Sequence, residues 1–158
     1  MVVIRYIYGN EMSADQETLE TLAEFRFELR QFLQFSERSA EQAGLQPQQH
    51  QMLLQVAGAP GETQVTISYV AQRLGLRHHT AVELSKRCEA AGLVRRVADL
   101  SDRRQVLLHL TKDGQKILRR LSEVHALELH ALAPRMIQAL NRIRNGKKLI
   151  ANSEATAK

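Results

Sequence analysis

The chain has 158 residues, of which 22 are basic and 17 acidic, giving a formal net charge of +5 at pH 7, and it contains one cysteine. This length suffices for one domain with its own hydrophobic core, plus helices that bury their apolar faces against a second copy. The single cysteine excludes an intramolecular disulfide framework and favours a cytoplasmic location. No run approaches the roughly 20 apolar residues that span a bilayer. Val2–Tyr8 is too short for a signal peptide, so we predict no membrane partner.

The charges are distributed unevenly along the chain. Residues 13–44 are predominantly acidic, with Asp15, Glu17, Glu20, Glu24, Glu28, Glu37 and Glu41 against Arg26, Arg30 and Arg38. Residues 72–104 are predominantly basic, with Arg73, Arg77, Lys86, Arg87, Arg95, Arg96, Arg103 and Arg104 against Glu83, Glu89, Asp99 and Asp102. Because phosphates attract cations and repel carboxylates, we expect the second segment to face a polyanion.

The first predicted element is a long amphipathic helix over residues 13–44. Its apolar residues recur at spacings of three and four, at Leu22, Phe25, Leu29, Phe32 and Leu33. This stripe, widened by Phe27 and Phe35, exceeds what one small core requires. We therefore interpret residues 13–44, closed by Gly44, as a dimerisation helix that packs on a second subunit. Residues 1–12 are either an N-terminal arm or a start-site artefact.

Three shorter helices follow. The first is predicted over Pro47–Ala57, because proline suits the first helical turn. Thr66 is a good N-cap for a helix over Ile67–Leu74, and Gly75 ends it. The next helix, His78–Ala91, begins after only a few residues. Such a tight helix-glycine-helix junction is typical of a helix-turn-helix.

The last of these helices has two different faces. Its inner face is formed by small and apolar residues, namely Ala81, Leu84 and Cys88. Its outer face carries Thr80, Val82, Glu83, Lys86 and Arg87. We expect the outer face to remain available to a ligand.

Residues 93–110 predict a two-stranded β-hairpin with a charged tip. Val106, Leu108 and Leu110 alternate with other residues as in a strand, and residues 98–103 are rich in turn formers. Together with the helix-turn-helix, the hairpin would complete a winged domain over residues 45–110.

The remainder of the chain is predicted to be helical. Thr111 caps a long helix and Pro134 starts a final one, so that residues 111–148 form C-terminal dimerisation helices, and residues 149–158 a flexible tail. The predicted fold class is mainly α with a small β-hairpin wing (α+β). It is a winged helix-turn-helix with N- and C-terminal dimerisation helices.

Five segments carry a resemblance to a known family. They are residues 67–76 (ISYVAQRLGL), 80–84 (TAVEL), 91–96 (AGLVRR), 101–104 (SDRR) and 110–114 (LTKDG). In this order they resemble the MarR family of bacterial transcription regulators, over about residues 16–145. The wing-tip Asp-Arg followed by Leu-Thr-x-x-Gly is the most diagnostic part. The resemblance implies homodimers that bind a pseudo-palindromic operator in double-stranded DNA.

The resemblance also implies a role for each wing residue. Arg103 would enter the minor groove beside Arg104, because a narrow minor groove attracts arginine. Asp102 would hold the tip by pairing with an arginine such as Arg104 or Arg73.

In the major groove the resemblance implies that Thr80 and Val82 approach base edges. By the same analogy, Lys86 and Arg87 lie near the DNA backbone. Ligand release would use a pocket between the dimer helices and the DNA-binding lobe.

Two features depart from the family pattern. Glu83 stands where a basic or small polar residue is common, and it either accepts from cytosine N4 or pairs with Arg87. Arg77, His78 and His79 replace small hydroxyl residues at the start of the recognition helix. These histidines either donate to a phosphate or form an exposed loop pair.

The sequence gives little support for a redox, metal or catalytic site. Cys88 is either a redox switch or a core residue, and its inner-face position favours the core. The histidine spacings do not form a metal site. Arg26, Arg30 or His50 would supply a cation to a small-molecule inducer. No glycine-rich phosphate loop or nucleophile motif is present, so we predict no catalytic residues, cofactor or enzyme activity.

Two functional interpretations therefore remain. The leading one is a sequence-specific DNA-binding transcriptional regulator, a homodimeric repressor released by a small-molecule ligand. The alternative is a winged-helix protein–protein or RNA interaction module without operator specificity. Arg103 and Arg104 favour the first, because a purely protein-binding surface does not need arginines at a hairpin tip.

Overall fold

The structure, a computed structural model, describes residues 16–102 and 104–156. In these ranges the helices are α1 (Gln16–Gln42), α2 (Pro47–Ala57), α3 (Ile67–Leu74), α4 (His78–Ala90) and α5 (Lys112–Thr156), and the strands are β1 (Val94–Ala98) and β2 (Val106–Leu110). The mainly helical fold with a β-hairpin is confirmed. The predicted N-terminal arm, Arg103 and the last two residues lie outside the described residues. No described helix is long and apolar enough to cross a membrane.

The chain divides into two compact units. One combines α1 up to Phe32 with α5 from His130. Within it, Thr21, Leu132 and Ala139 are buried. The carboxylate of Glu28, also buried, accepts a hydrogen bond from Arg135 Nε at 2.7 Å.

The first unit also exposes many large apolar side chains. Those more than two-fifths exposed are Leu19, Leu22, Phe27, Ile137 and Leu140. These residues lie on both helical segments of the unit. An isolated chain would therefore present a large apolar surface to water.

The second unit, Leu33–Leu129, holds the hydrophobic core. Every element from α2 to β2 contributes fully or nearly fully buried side chains, among them Met52, Leu53, Val70, Leu84, Val94 and Leu108. The hairpin is antiparallel, with Val94 opposite Leu110 and Ala98 opposite Val106. A short third segment lies beside β2, where Leu108 N donates to Val65 O at 2.8 Å.

The C-terminal region differs from the prediction at Pro134. We expected this proline to start a separate helix, but α5 continues through it to Thr156. Proline removes the N–H that would bond to the carbonyl of residue 130 and crowds that carbonyl, but the turns on either side can persist. The helix also extends past Lys148, where the sequence indicated a flexible tail.

The base of the hairpin is fixed to the start of α5. Thr111 caps the helix as predicted, since its Oγ1 accepts from Gly114 N at 3.0 Å. The same hydroxyl lies 2.6 Å from Gly92 O, to which it donates. Gly114 packs directly on Leu93: a Cβ at Gly114 would overlap the Leu93 carbonyl oxygen and lie 3.0 Å from the carbonyl carbon.

We expect Gly114→Ala to destabilise the protein. The higher helix propensity of alanine stabilises the helix by about 0.5–1 kcal/mol. Overpacking against a backbone carbonyl costs about 1–3 kcal/mol, so the net effect should be a lower free energy of unfolding. Chemical denaturation at fixed protein concentration measures the change. Lys116→Ala, at an exposed position on the same helix, should change the free energy of unfolding by less than about 0.5 kcal/mol. A stabilised Gly114→Ala protein would contradict the close approach.

Two histidines lie in the interior of the second unit. His50 and His125 are 2% and 8% exposed, and their ring centroids are 4.8 Å apart. Burial, with a further contribution from His125, lowers the pKa of His50 to about 4. Burial also lowers the pKa of His125. Both rings are therefore neutral at pH 7, and the suggestion that His50 supplies a cation to a ligand is wrong.

This burial makes stability depend on pH. The unfolded chain protonates His50 near pH 6.5, whereas the folded protein resists protonation down to about pH 4. The histidine contribution is therefore complete above about pH 6.5 and is lost as pH falls toward 4, with a slope of at most about 1.4 kcal/mol per pH unit. Denaturation between pH 7 and 5 should show a shallower loss of stability for His50→Gln than for the unsubstituted protein. The exposed control His79→Gln should keep the full slope, and equal slopes in all three proteins would refute the assignment.

Candidate nucleic-acid interface

The turn between α3 and α4 is built from the residues that the sequence indicated. Thr66 Oγ1 accepts from Tyr69 N at 3.1 Å and caps α3. Gly75 ends the helix in the left-handed conformation, with φ of 64°. A side chain at this φ would be strained, and glycine avoids that cost. The chain then turns within two residues, and α4 begins at His78.

The inner face of α4 is fully buried. Ala81, Leu84 and Cys88 have no exposed surface, as the sequence predicted. Ser85 is also buried, and its hydroxyl donates to Val82 O at 2.7 Å. Burial raises the pKa of the Cys88 thiol to about 11, so this cysteine is a thiol rather than a reactive thiolate at neutral pH.

The outer face of α4 carries most of the predicted site residues. Arg77, His78, His79, Glu83, Lys86 and Arg87 are exposed. Thr80 is half-buried. The expectation that Val82 faces outward is wrong in part, because this side chain is half-buried and packs against the core. Successive residues of an α-helix are rotated by about 100°, so the residue next to the buried Ala81 lies at the border between the two faces.

Two side chains of this surface have partners within the protein. His78 Nδ1 lies 3.4 Å from Ser68 Oγ, which links the first turn of α4 to α3. Glu83 is held by Lys86, whose Nζ donates to Oε1 at 2.8 Å. This bond, the charge of Lys86 and the more distant charges of Arg87 and Arg96 lower the pKa of Glu83. Of the predicted alternatives for Glu83, a direct pair with Arg87 is not formed; its partner is Lys86.

The wing tip is organised by two aspartates. Asp102 accepts from Arg104 Nε at 3.1 Å, from Arg104 N at 3.1 Å and from Gln105 Nε2 at 3.2 Å. The hydrogen bonds from Arg104 are the main reason that the pKa of Asp102 is lowered. The arginine that pairs with Asp102 is thus Arg104 and not Arg73, which instead donates to Gln55 Oε1 at 2.9 Å.

The second aspartate was not singled out from the sequence. Asp99 Oδ1 accepts from both the backbone N and the hydroxyl of Ser101, each at 2.8 Å. These bonds lower the pKa of Asp99. An aspartate two residues before a serine is typical of a turn in which the aspartate side chain accepts from the backbone, and this pattern could have identified the contact.

A further contact connects α4 to the hairpin and also was not predicted. Glu89 Oε1 accepts from Arg96 N at 3.0 Å, and Glu89 Oε2 lies 3.6 Å from Arg96 Nη1. The C-terminal turn of α4 is therefore fastened to β1. Sequence spacing does not reveal this pair, because the two residues belong to different elements.

The described residues contain no group of three or more side chains that could hold a metal ion. The histidines at the start of α4 and those in the core lie in different surroundings.

Comparisons with known proteins identify the fold. The model of the MarR family matches residues 43–105, which include α2, the helix-turn-helix and the wing tip. AbsC, a MarR family transcriptional regulator from Streptomyces coelicolor, is similar with a TM-score of 0.67 and 21% identity, over 93% of this chain and 99% of AbsC. The S. aureus MepR–DNA complex gives a TM-score of 0.64 and 19% identity, over 81% of this chain and 94% of MepR. No curated protein matches by sequence.

The described helices and the two-stranded hairpin match the winged helix fold of these proteins. The identities to AbsC and MepR are low, so those two comparisons establish a shared fold, while the family match rests on the sequence of residues 43–105 itself. Both agree with the motifs at residues 67–76 and 101–104. Residues 43–105 therefore match the MarR family model, and the chain has a winged helix fold like that of AbsC and MepR.

Proposed function

We propose that this protein regulates transcription in the cytoplasm as a homodimer that binds a pseudo-palindromic operator in double-stranded DNA and represses the adjoining genes. The main evidence for DNA binding is that α4 has one fully buried face and one face of exposed polar and charged residues. An α-helix fits the major groove, where side chains at its surface reach base edges. The MepR complex supports the proposal, because a protein of the same fold was crystallised with DNA.

The wing supports the same partner. The Arg104 side chain is 91% exposed although Asp102 holds its guanidinium. An arginine that is both exposed and restrained loses little further freedom when it contacts a phosphate. Arg103, outside the described residues, is proposed to enter the minor groove beside it, as the sequence resemblance implies.

The homodimer is proposed from the apolar surface of the first compact unit. Leu19, Phe27, Ile137 and Leu140 are about half exposed, and Leu22 somewhat less. Residues of this kind on long helices bury themselves against another copy in symmetric dimers. A dimer would also place two copies of α4 on one DNA, as a pseudo-palindrome requires.

We propose that a small molecule releases the protein from DNA by binding in a cavity. The second unit contains a cavity of about 390 Å³, whose lining includes Ile117, Leu121 and Val124 together with Arg120. This volume is within the usual range for small ligands, and an apolar floor with one cation suits an organic anion. Small molecules could be screened for their ability to dissociate a purified complex of the protein with its operator.

We expect binding to DNA upstream of the protein's own gene to be selective and steeply salt-dependent. Each phosphate contact contributes about 0.9 to the slope of log K against log salt concentration. Arg87→Ala should therefore weaken binding to all duplexes and lower the slope by about 1.8 in a homodimer, as fluorescence anisotropy would measure. Arg38→Ala removes the same charge from an exposed position on α1 and should leave the slope unchanged.

The alternative function, a protein- or RNA-binding module, predicts a different result in the salt titration of DNA binding. A winged helix that binds protein or RNA would show equal, weak affinity for the upstream duplex and a random one. Equal effects of the two arginine substitutions would likewise argue against α4 as the DNA-binding element. Val82→Ala is a poor specificity probe, because Val82 packs on the core and its truncation also costs stability.

The dimer proposal predicts that a charge in the apolar surface separates the subunits. Ile137→Glu would place a carboxylate in the proposed interface without a partner, which costs several kcal/mol. Sedimentation velocity at micromolar concentration should show a dimer for the unsubstituted chain and a monomer for this variant. Gln72→Glu, which adds the same charge to an exposed position on α3, should remain dimeric. A monomeric unsubstituted chain would overturn the homodimer.

A further inference from the structure

The outward face of α4 carries an acceptor and a donor fixed to each other. Glu83 and Lys86 are 63% and 53% exposed, and Nζ lies 2.8 Å from Oε1. Such an exposed pair between residues three apart adds little to stability. It does, however, restrict both side chains, so the lysine is directed toward Glu83 rather than extended freely.

A carboxylate on a groove-facing helix is unusual because the phosphates repel it. Glu83 is nevertheless held in its ionised form by nearby cations, chiefly Lys86. An ionised carboxylate can only accept hydrogen bonds. Glu83 can therefore bind favourably in the major groove only where a base presents a donor.

Two bases present donors in the major groove, cytosine through N4 and adenine through N6. The adenine amino group lies between two acceptors, N7 of the same base and O4 of the paired thymine, and both repel a carboxylate. The cytosine amino group has an acceptor on one side alone, O6 of the paired guanine. That O6 is a suitable acceptor for an ammonium group that already touches the carboxylate.

We propose that the Glu83–Lys86 pair reads one G·C base pair in each half-site, with Glu83 accepting from cytosine N4 and Lys86 donating to guanine O6. This assignment rests on the proposed DNA-binding function and adds the base that these residues select. It replaces the expectation that Lys86 lies at the DNA backbone. Both base pairs present a donor beside an acceptor, but adenine N6 has a second acceptor on its other side that repels the carboxylate, so the pair favours G·C over A·T.

The substitution Glu83→Gln tests the assignment because it changes the preferred base. Glutamine pairs with adenine N6 and N7 through both atoms of its amide. The variant should therefore shift preference at one position of each half-site from G·C toward A·T. A good base contact discriminates by about 5- to 150-fold, so the shift should be within reach of a competition assay.

The experiment is in vitro selection from a random duplex library with the full-length protein, followed by binding to the selected site and to single-base-pair replacements. The unsubstituted protein should enrich a G·C pair at one position of each half-site. Replacing that base pair by A·T should lower the affinity of the protein for the site by about 5- to 150-fold. Glu83→Gln should lose or reverse that preference while the other positions stay the same.

Glu41→Gln is the matched control, because it removes the same charge from an exposed position on α1. It should raise affinity for all duplexes slightly and leave the selected sequence unchanged. If Glu83→Gln behaves like this control, the pair only adjusts charge and the assignment is overturned. A library with no enriched sequence would instead overturn the proposed function, and the base assignment with it.

Discussion

The functional surface depends on one constraint, the complete burial of one side of α4. Ala81, Leu84, Ser85 and Cys88 have no exposed surface, so the helix cannot rotate about its axis without bringing charged residues into the core. Burial of an unpaired charge costs several kcal/mol, far more than the adjustment of an exposed side chain. The packing of small residues in the core therefore decides which side chains point outward.

The hairpin is oriented by polar contacts around the same helix. Glu89 fastens the end of α4 to Arg96 in β1, and Thr111 with Gly114 fastens the start of α5 to the turn at Leu93. Helix α4 and the hairpin are thus connected at the base of the hairpin, while Asp99 and Asp102 order its tip. In the proposed complex, a wing attached in this way would contact the same DNA as α4 with little loss of conformational freedom.

His50, His125 and Cys88, all inside the second unit, are held in their uncharged forms. Burial keeps His50 neutral and the Cys88 thiol protonated at neutral pH. This arrangement argues against a cation from His50 or a thiolate from Cys88 in any sensing mechanism. The cations of the proposed DNA-binding surface, among them Arg77, Lys86 and Arg87, are exposed.

Local patterns in the sequence predicted most of the fold. Pro47, Thr66 and Gly75 mark helix boundaries through their own backbone preferences, and the alternation at Val106–Leu110 marks a strand, so these elements were confirmed. The prediction at Pro134 was wrong because one missing hydrogen bond does not interrupt a long helix. Thr111 capping was also evident from the sequence, since a cap acts over three residues.

The partners of individual side chains were not predictable in this way. The sequence by itself determined the elements, their order, the resemblance to the MarR family and the charged character of residues 72–104, because these follow from local preferences and composition. Only the tertiary structure decided that Asp102 pairs with Arg104, Glu83 with Lys86 and Glu89 with Arg96. For Asp102 and Glu83 several cations stand at suitable spacings in the sequence, and only the structure shows which one is within reach. The distance between Glu89 and Arg96 depends on how α4 packs against the hairpin.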